Sequence, residues 1–145
     1  MNHFRSLCLS IAAASALFAS PALAVDAGYK LEATLIGSAE VPGPGDRDGG
    51  ATARVTVNPG KRQVCYMLGV SGTDTATMAH IHKGKNGMAG PVVVALTAPA
   101  RGKSAGCATV GSDLAFDILK SPANYYVNVH TAAFPSGALR GQLGK

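Results

Sequence analysis

Between residues 29 and 37 apolar and polar side chains alternate: Leu31, Ala33 and Leu35 against Lys30, Glu32 and Thr34. Successive side chains of an extended chain point to opposite faces, so strict alternation predicts a half-buried strand. The stretch 41–50, Val-Pro-Gly-Pro-Gly-Asp-Arg-Asp-Gly-Gly, cannot hold regular structure and predicts a loop. Alternation resumes over 51–57. The turn Asn58-Pro59-Gly60 then predicts a hairpin with a strand over 62–70. After a second turn at 71–74, a strand is expected over 75–82, followed by the glycine-rich loop 83–90. The run 91–97 is almost continuously apolar and predicts a strand covered on both faces. A short strand over 106–110 carries Cys107.

One segment differs. Leu114, Phe116, Ile118 and Leu119 suit a short helix over Ser112–Lys120, with Ser112 as N-cap and Pro122 beyond its end. Strands over Tyr125–Thr131 and 138–143 complete the chain. About eight short strands with turn punctuation predict an all-β fold, an antiparallel sandwich with one short helix near 112–120. No internal repeat appears, and the loop at 42–50 lies too near the N-terminus to separate two domains.

The first 24 residues follow a different rule. Arg5 supplies a positive start, an apolar stretch runs from Leu7 to Phe18, and Ala22-Leu23-Ala24 is the small-x-small pattern of a cleavage site. That stretch is shorter than the ~20 residues that span a membrane, and Pro21 ends it before the cleavage site. The expected organisation is therefore a signal peptide over 1–24 and a single domain over 25–145, located in the periplasm or secreted. No later segment is apolar enough to cross a membrane, so no membrane association is expected after signal removal. Gly (18) and Pro (8) are abundant and charged residues make up only 14%, which agrees with strands and turns and argues against a helical bundle. The net charge of +5 comes from scattered Lys and Arg with no aromatic interleaving, so nucleic acid is not an expected partner.

Export also bears on the cysteines. Cys8 leaves with the signal, while Cys65 and Cys107 remain. Two cysteines in an oxidising compartment are expected to pair; the alternative is two separate buried thiols.

The sharpest chemical signal is His80, His82 and His130. On a strand, residues i and i+2 share a face and lie roughly 6.5 Å apart. Two imidazoles so placed can converge on one metal ion, and His130 joins them if its strand lies alongside. Neutral imidazoles suit copper and zinc, with copper higher in the divalent affinity order, so copper is the expected cofactor ahead of zinc. The competing reading is three histidines satisfied by ordinary hydrogen bonds. Met78 shares the face of His80 and His82 as either a soft axial ligand or core filler. Tyr126 and Asn128 share a face with His130 and are expected to orient the rings as a supporting shell. Asp46 and Asp48 lack the partners of a calcium loop, Ser104 and Ser136 lack a nucleophile motif, and Lys83-Gly84-Lys85-Asn86-Gly87 lacks phosphate-loop spacing. Lys83, Lys85, Arg101, Lys103 and Arg140 form either a gathered positive rim or ordinary solubilising charge.

Four segments together resemble the CHRD domain, first named from chordin. They are Leu35-Ile-Gly-Ser-Ala-Glu-Val-Pro42, Ala79-His-Ile-His-Lys-Gly84 with Gly90-Pro-Val-Val-Val94, Tyr125-Tyr-Val-Asn-Val-His-Thr131, and Gly137-Ala-Leu-Arg-Gly-Gln-Leu143. The resemblance runs from about residue 29 to 143 and implies a β-rich extracellular module without itself implying an activity. The site also resembles, more loosely, that of copper superoxide dismutases, Greek-key β-sandwiches with a His-x-His strand, a later histidine, a disulfide and an arginine near the copper. That similarity implies that Arg140 attracts a small anion such as superoxide, and that the protein is a copper-dependent superoxide dismutase. The chain departs from the pattern: it lacks a fourth, bridging histidine and zinc-loop ligands, and its cysteines fall elsewhere. The alternative is a non-catalytic extracellular binding or structural module without metal.

Overall fold

The computed structural model describes residues 28–145. The expected signal peptide over 1–24, with His3, Arg5, Cys8 and the cleavage site before Val25, lies outside the described residues.

Eight strands form: β1 (Tyr29–Ile36), β2 (Gly50–Asn58), β3 (Gln63–Ser71), β4 (Ala76–Lys83), β5 (Val92–Leu96), β6 (Lys103–Thr109), β7 (Tyr125–Thr131) and β8 (Leu139–Gln142). One helix, α1 (Ser112–Lys120), joins β6 to β7. All pairings are antiparallel, in the order β5-β4-β7-β8-β1-β2-β3-β6. The seam between β8 and β1 is narrow. It consists of the pair Ile36↔Arg140 and a bridge in which the backbones of Glu32 and Gly144 exchange bonds of 2.9 and 2.8 Å. The eight strands form one nearly closed sheet around one core that includes Leu31, Leu35, Val55, Val64, Ile81, Val127, Val129 and Leu139.

At the far side β5 and β6 approach one another. The Ser104 hydroxyl donates to the Thr97 carbonyl at 2.8 Å, and Tyr66 reaches across from β3. Its hydroxyl donates to Thr97 Oγ1 at 3.0 Å and accepts from the Thr97 N–H at 2.8 Å. Gly106 makes this possible, since a Cβ there would sit 2.6 Å from that hydroxyl oxygen. With the gap closed in this way, β4, β5 and β6 are consecutive neighbours, β3 lies beside β6, and β7 lies beside β4, which are Greek-key connections.

The predicted all-β fold is present, with differences at particular elements. β5 is an end strand of the hydrogen-bonded order rather than a strand covered on both faces: Val94 and Leu96 point inward while Val92 and Ala95 are exposed. An apolar run fixes that one face is buried, but small apolar residues also occur on open faces. α1 has the predicted bounds, yet its N-cap is Gly111 and no side chain caps it. It buries Ala115 and Ile118 and leaves Phe116 exposed. Asp117 pins the helix to the sheet, accepting from Lys83 Nζ at 2.7 Å and from the Tyr125 hydroxyl.

Cys65 and Cys107 are bridged, as expected for an oxidising compartment. They stand directly opposite one another on β3 and β6, with Cα atoms 3.9 Å apart, closer than the ~5.5 Å typical of disulfides. Their neighbours Val64 and Tyr66 point into the core, so the bridge lies on the outward face. Its removal therefore takes away a cross-link and little core. Replacing both cysteines by Ala is expected to cost about 2–4 kcal/mol, through the larger entropy of the unfolded chain. Urea unfolding of the double variant beside the wild type measures it; an unchanged midpoint would show the bridge to be energetically idle.

Candidate metal centre

Alternation along β4, β7 and β8 sends Ala79, Ile81, Val127, Val129 and Leu139 into the core. The opposite face therefore carries His80 and His82 from β4, Tyr126, Asn128 and His130 from β7, and Arg140 and Gln142 from β8. The register sets them in rows across the strands: His82, Tyr126 and Gln142; His80, Asn128 and Arg140; and Met78 opposite His130.

This outer face is not open to water along β7, every residue of which is buried. Loops cover it. The Gly45 N–H reaches the Gly37 carbonyl at 2.8 Å and the Asp46 N–H the Ala138 carbonyl at 2.9 Å, drawing the proline- and glycine-rich loop across. The 83–91 loop folds back so tightly that a Cβ on Gly90 would lie 1.7 Å from the Lys83 carbonyl oxygen. Only glycine permits that approach.

The three rings meet. His80 Nδ1 and His130 Nε2 are 3.2 Å apart, and the rings of His80 and His82 are edge-on with centroids 5.5 Å apart. One nitrogen from each histidine falls within 4.8 Å of the others. Carbonyl partners set the tautomers. His130 Nδ1 lies 3.0 Å from the Pro135 carbonyl and His82 Nδ1 2.9 Å from the Gly90 carbonyl. A carbonyl only accepts, so both Nδ1 atoms carry hydrogen and both Nε2 atoms of the neutral rings carry lone pairs. In the His80–His130 contact, His80 Nδ1–H then donates to His130 Nε2. His82 Nε2 is buried with no hydrogen-bond partner among the described residues. Backbone carbonyls behind the rings are the usual support of metal-binding imidazoles. With the His80 proton moved to Nε2, these two nitrogens of His80 and His130, 3.2 Å apart, would match two ligands about 2.0–2.1 Å from one ion at a near-tetrahedral angle, which lie about 3.3 Å apart.

The surrounding shell is dense. Tyr126 stacks on His82 with centroids 4.7 Å apart and planes inclined by 10°. Its hydroxyl accepts from the Gly90 N–H at 3.3 Å, so it braces both the ring and the loop that holds it. Arg140 is 1% exposed, and its guanidinium lies 3.6 Å from the Tyr126 ring centre. Nη2 donates to the Lys85 and Met88 carbonyls at 2.9 Å each and to Gln142 Oε1 at 3.1 Å. Its charge therefore reaches solvent as a field rather than through an open contact. Asn128 Nδ2 donates to Glu40 Oε1 at 2.5 Å, while Asn128 Oδ1 is buried without a partner among the described residues.

Two members of this network, Glu40 and Gln142, were not singled out by sequence reasoning. Glu40 lies in the Ala39-Glu40-Val41-Pro42 segment, where only burial marks it. Gly137, at φ 146°, holds its carboxylate so closely that a Cβ would sit 2.5 Å from an oxygen. Gln142 Nε2 donates to the carbonyls of Gly84, Ala123 and Tyr125 at 2.8–3.2 Å. Of the candidate basic rim, Lys83 is paired with Asp117, while Arg101 and Lys103 belong to the β5–β6 end of the sheet, away from this face. Asp46 accepts the Asp48 N–H at 3.0 Å within its own turn, as expected of turn residues.

Burial shapes the electrostatics. It holds the imidazoles of His80 and His82 below their ordinary pKa, with the neighbouring histidines adding to the effect. Burial pushes the Glu40 carboxyl up from 4.5 to about 7, against the pull of Arg140 and the hydrogen bond from Asn128. The two shifts act on stability with opposite signs. The histidine contribution is present above pH 6.5 and is lost as pH falls through the lower, folded values. The Glu40 contribution is present below pH 4.5 and is lost as pH rises toward 7. Glu40→Gln removes the second, so this variant is expected to gain stability as pH rises through 6.5 more steeply than the wild type. Urea midpoints across that range check it, and identical profiles for the two proteins would count against it.

The family model for the CHRD domain matches residues 31–143. No curated protein and no solved structure matches the chain.

Proposed function

The chain belongs to the CHRD domain family, and on that premise we propose that it is an exported domain that binds one copper ion through His80, His82 and His130. The observation that carries this reading is the lone pair on His82 Nε2, buried without a partner among the described residues and beside two further imidazole nitrogens. A buried acceptor without a partner costs roughly 1–3 kcal/mol, and a metal ion would convert that cost into a coordinate bond. The donor set fits the ion: three neutral imidazoles, two of them tautomerically fixed by carbonyls, prefer Cu(II) to Zn(II).

Export is supported by the leader-like first 24 residues and by the Cys65–Cys107 bridge. No described helix is long and apolar enough to cross a membrane. Protein recovered after export is expected to begin at Val25, and an intact mass retaining residues 1–24 would remove the periplasmic or secreted assignment.

Bound copper supplies one-electron chemistry, which is what dismutation of superoxide requires. In that version of the function the chain's own part is to position the rings and to hold the Arg140 charge beneath them, drawing a small anion through its field. Superoxide consumption by copper-loaded protein, set against the same amount of free copper with chelator, tests it.

The test of binding comes first. Exported protein is expected to contain about one copper per chain. Metal-free protein should take up one Cu(II) at pH 7 and release it below pH 6.5, as protons compete for the rings. Exported protein free of copper, together with a titration lacking an endpoint, would leave the non-catalytic binding module as the function.

A further inference from the structure

We propose that Met78 is a fourth, soft ligand at the three-histidine site, and that the site therefore holds cuprous as well as cupric copper; this rests on the metal-binding reading above.

Position is the first argument. Met78 precedes His80 by two residues on β4 and lies directly opposite His130 on β7. Residues i and i+2 share a face, and directly opposed residues have Cβ atoms about 4.5–5.5 Å apart. Met78 thus stands beside one proposed ligand along the strand and beside another across it. The register of β4 against β7 shifts between Ala76 and Met78. Such a bulge re-aims the side chains next to it and is common near functional sites.

Exposure is the second argument. Core filling would explain a methionine here, but Met78 is 45% exposed and belongs to no part of the core. The histidine that faces it, His130, is only 7% exposed. The thioether thus stands at the open margin of a site whose other members are half-buried or buried. A methionine side chain turns about three bonds, so its sulfur can adjust to an ion seated among the rings.

Chemistry is the third. Imidazole serves both copper oxidation states, whereas a thioether is a soft donor that selects Cu(I). Three imidazoles and one thioether supply four neutral donors. Loss of the sulfur should then weaken Cu(I) far more than Cu(II).

Anaerobic Cu(I) titration against a chromophoric chelator, and Cu(II) titration, of wild type, Met78→Leu and Met67→Leu test this. Met67 lies on β3, which pairs with neither β4 nor β7, and is also exposed, so it serves as the control. Met78→Leu is expected to weaken Cu(I) binding by about tenfold or more, equivalent to about 1.4 kcal/mol, while Cu(II) binding changes by less than about threefold. Met67→Leu should alter neither. X-ray absorption of the Cu(I)-loaded wild type should show one sulfur at about 2.3 Å, a distance typical of first-row metal–sulfur bonds, and Met78→Leu should lose it. If Met78→Leu binds Cu(I) like wild type while Cu(II) still binds, Met78 is not a ligand and the histidine site stands. An equal loss of both ions also overturns the proposal, because the substitution would then have disturbed the rings. A wild type that binds neither ion overturns the proposal together with the function it rests on.

Discussion

Cu(II) affinity at pH 7 is expected to fall by about 10- to 100-fold or more when any one of His80, His82 or His130 is replaced by Ala. Loss of an orienting partner behind a ligand already costs about 10–100-fold, and loss of the ligand itself removes a whole coordinate bond. The three substitutions differ in what else they disturb. His82→Ala removes the Nε2 atom that lacks a partner among the described residues, frees the Gly90 carbonyl and takes away the imidazole stacked on Tyr126. His80→Ala removes the donor to His130 Nε2 and leaves the fixed tautomers of the other two rings intact. His130→Ala is the most disruptive, since it deletes a buried ring and unpairs both His80 Nδ1 and the Pro135 carbonyl. His80→Ala is thus the cleanest test of ligation. Circular dichroism of each metal-free variant separates a lost ligand from a lost fold. His3→Ala, in the expected signal peptide, should change nothing. If all three variants bind Cu(II) as tightly as wild type, the site does not exist.

The second large effect is on folding. Arg140→Met is expected to destabilise the domain by about 3–5 kcal/mol, because it leaves three acceptors without their charged donor at roughly 1–3 kcal/mol each. The guanidinium ties the 83–91 loop to β8 through the Lys85 and Met88 carbonyls and holds Gln142. It also supplies the positive charge that restrains the Glu40 carboxyl. Methionine matches the aliphatic stem and can keep contact with Tyr126, yet it satisfies none of those acceptors. Without the charge, the Glu40 pKa should rise further above about 7, so the variant's deficit should shrink in acid and grow toward neutral pH. Urea unfolding at pH 5 and pH 8 reads both the size and the slope. A loss under about 1 kcal/mol at both pH values would mean that loop and carboxyl find equivalent partners without Arg140. Arg140→Lys is the useful companion. It keeps the charge but cannot reproduce the planar fork of donors, so it should restore the pH slope more fully than the stability.

These two effects concern residues that were legible in the sequence to different degrees. His80 and His82 could be placed on one face from their spacing alone, because side-chain alternation is a property of a single extended strand. Their convergence with His130 depends on β4 pairing with β7 in the register that sets His80 opposite Asn128 and Met78 opposite His130. A slip of one residue would have turned His130 into the core. Arg140 was visible as a cation near the end of the chain. Its burial under loop carbonyls was not, since those carbonyls come from a loop some 50 residues earlier.

Alternation and turn residues by themselves determined the strands, the helix over Ser112–Lys120 and the all-β class. These signals act over a few residues, where backbone sterics and the side-chain period dominate. Cysteine count and expected compartment pointed to the Cys65–Cys107 bridge, and the direct opposition of the two residues across β3 and β6 emerged only from the fold. Tertiary structure alone decided that β5 lies at the end of the hydrogen-bonded order, that Met78 is exposed, and that Glu40 is buried against Asn128. Each of those facts is a statement about which distant segment covers a given face. Such covering depends on loop closure and strand order rather than on local preference, so no single stretch of sequence contains it.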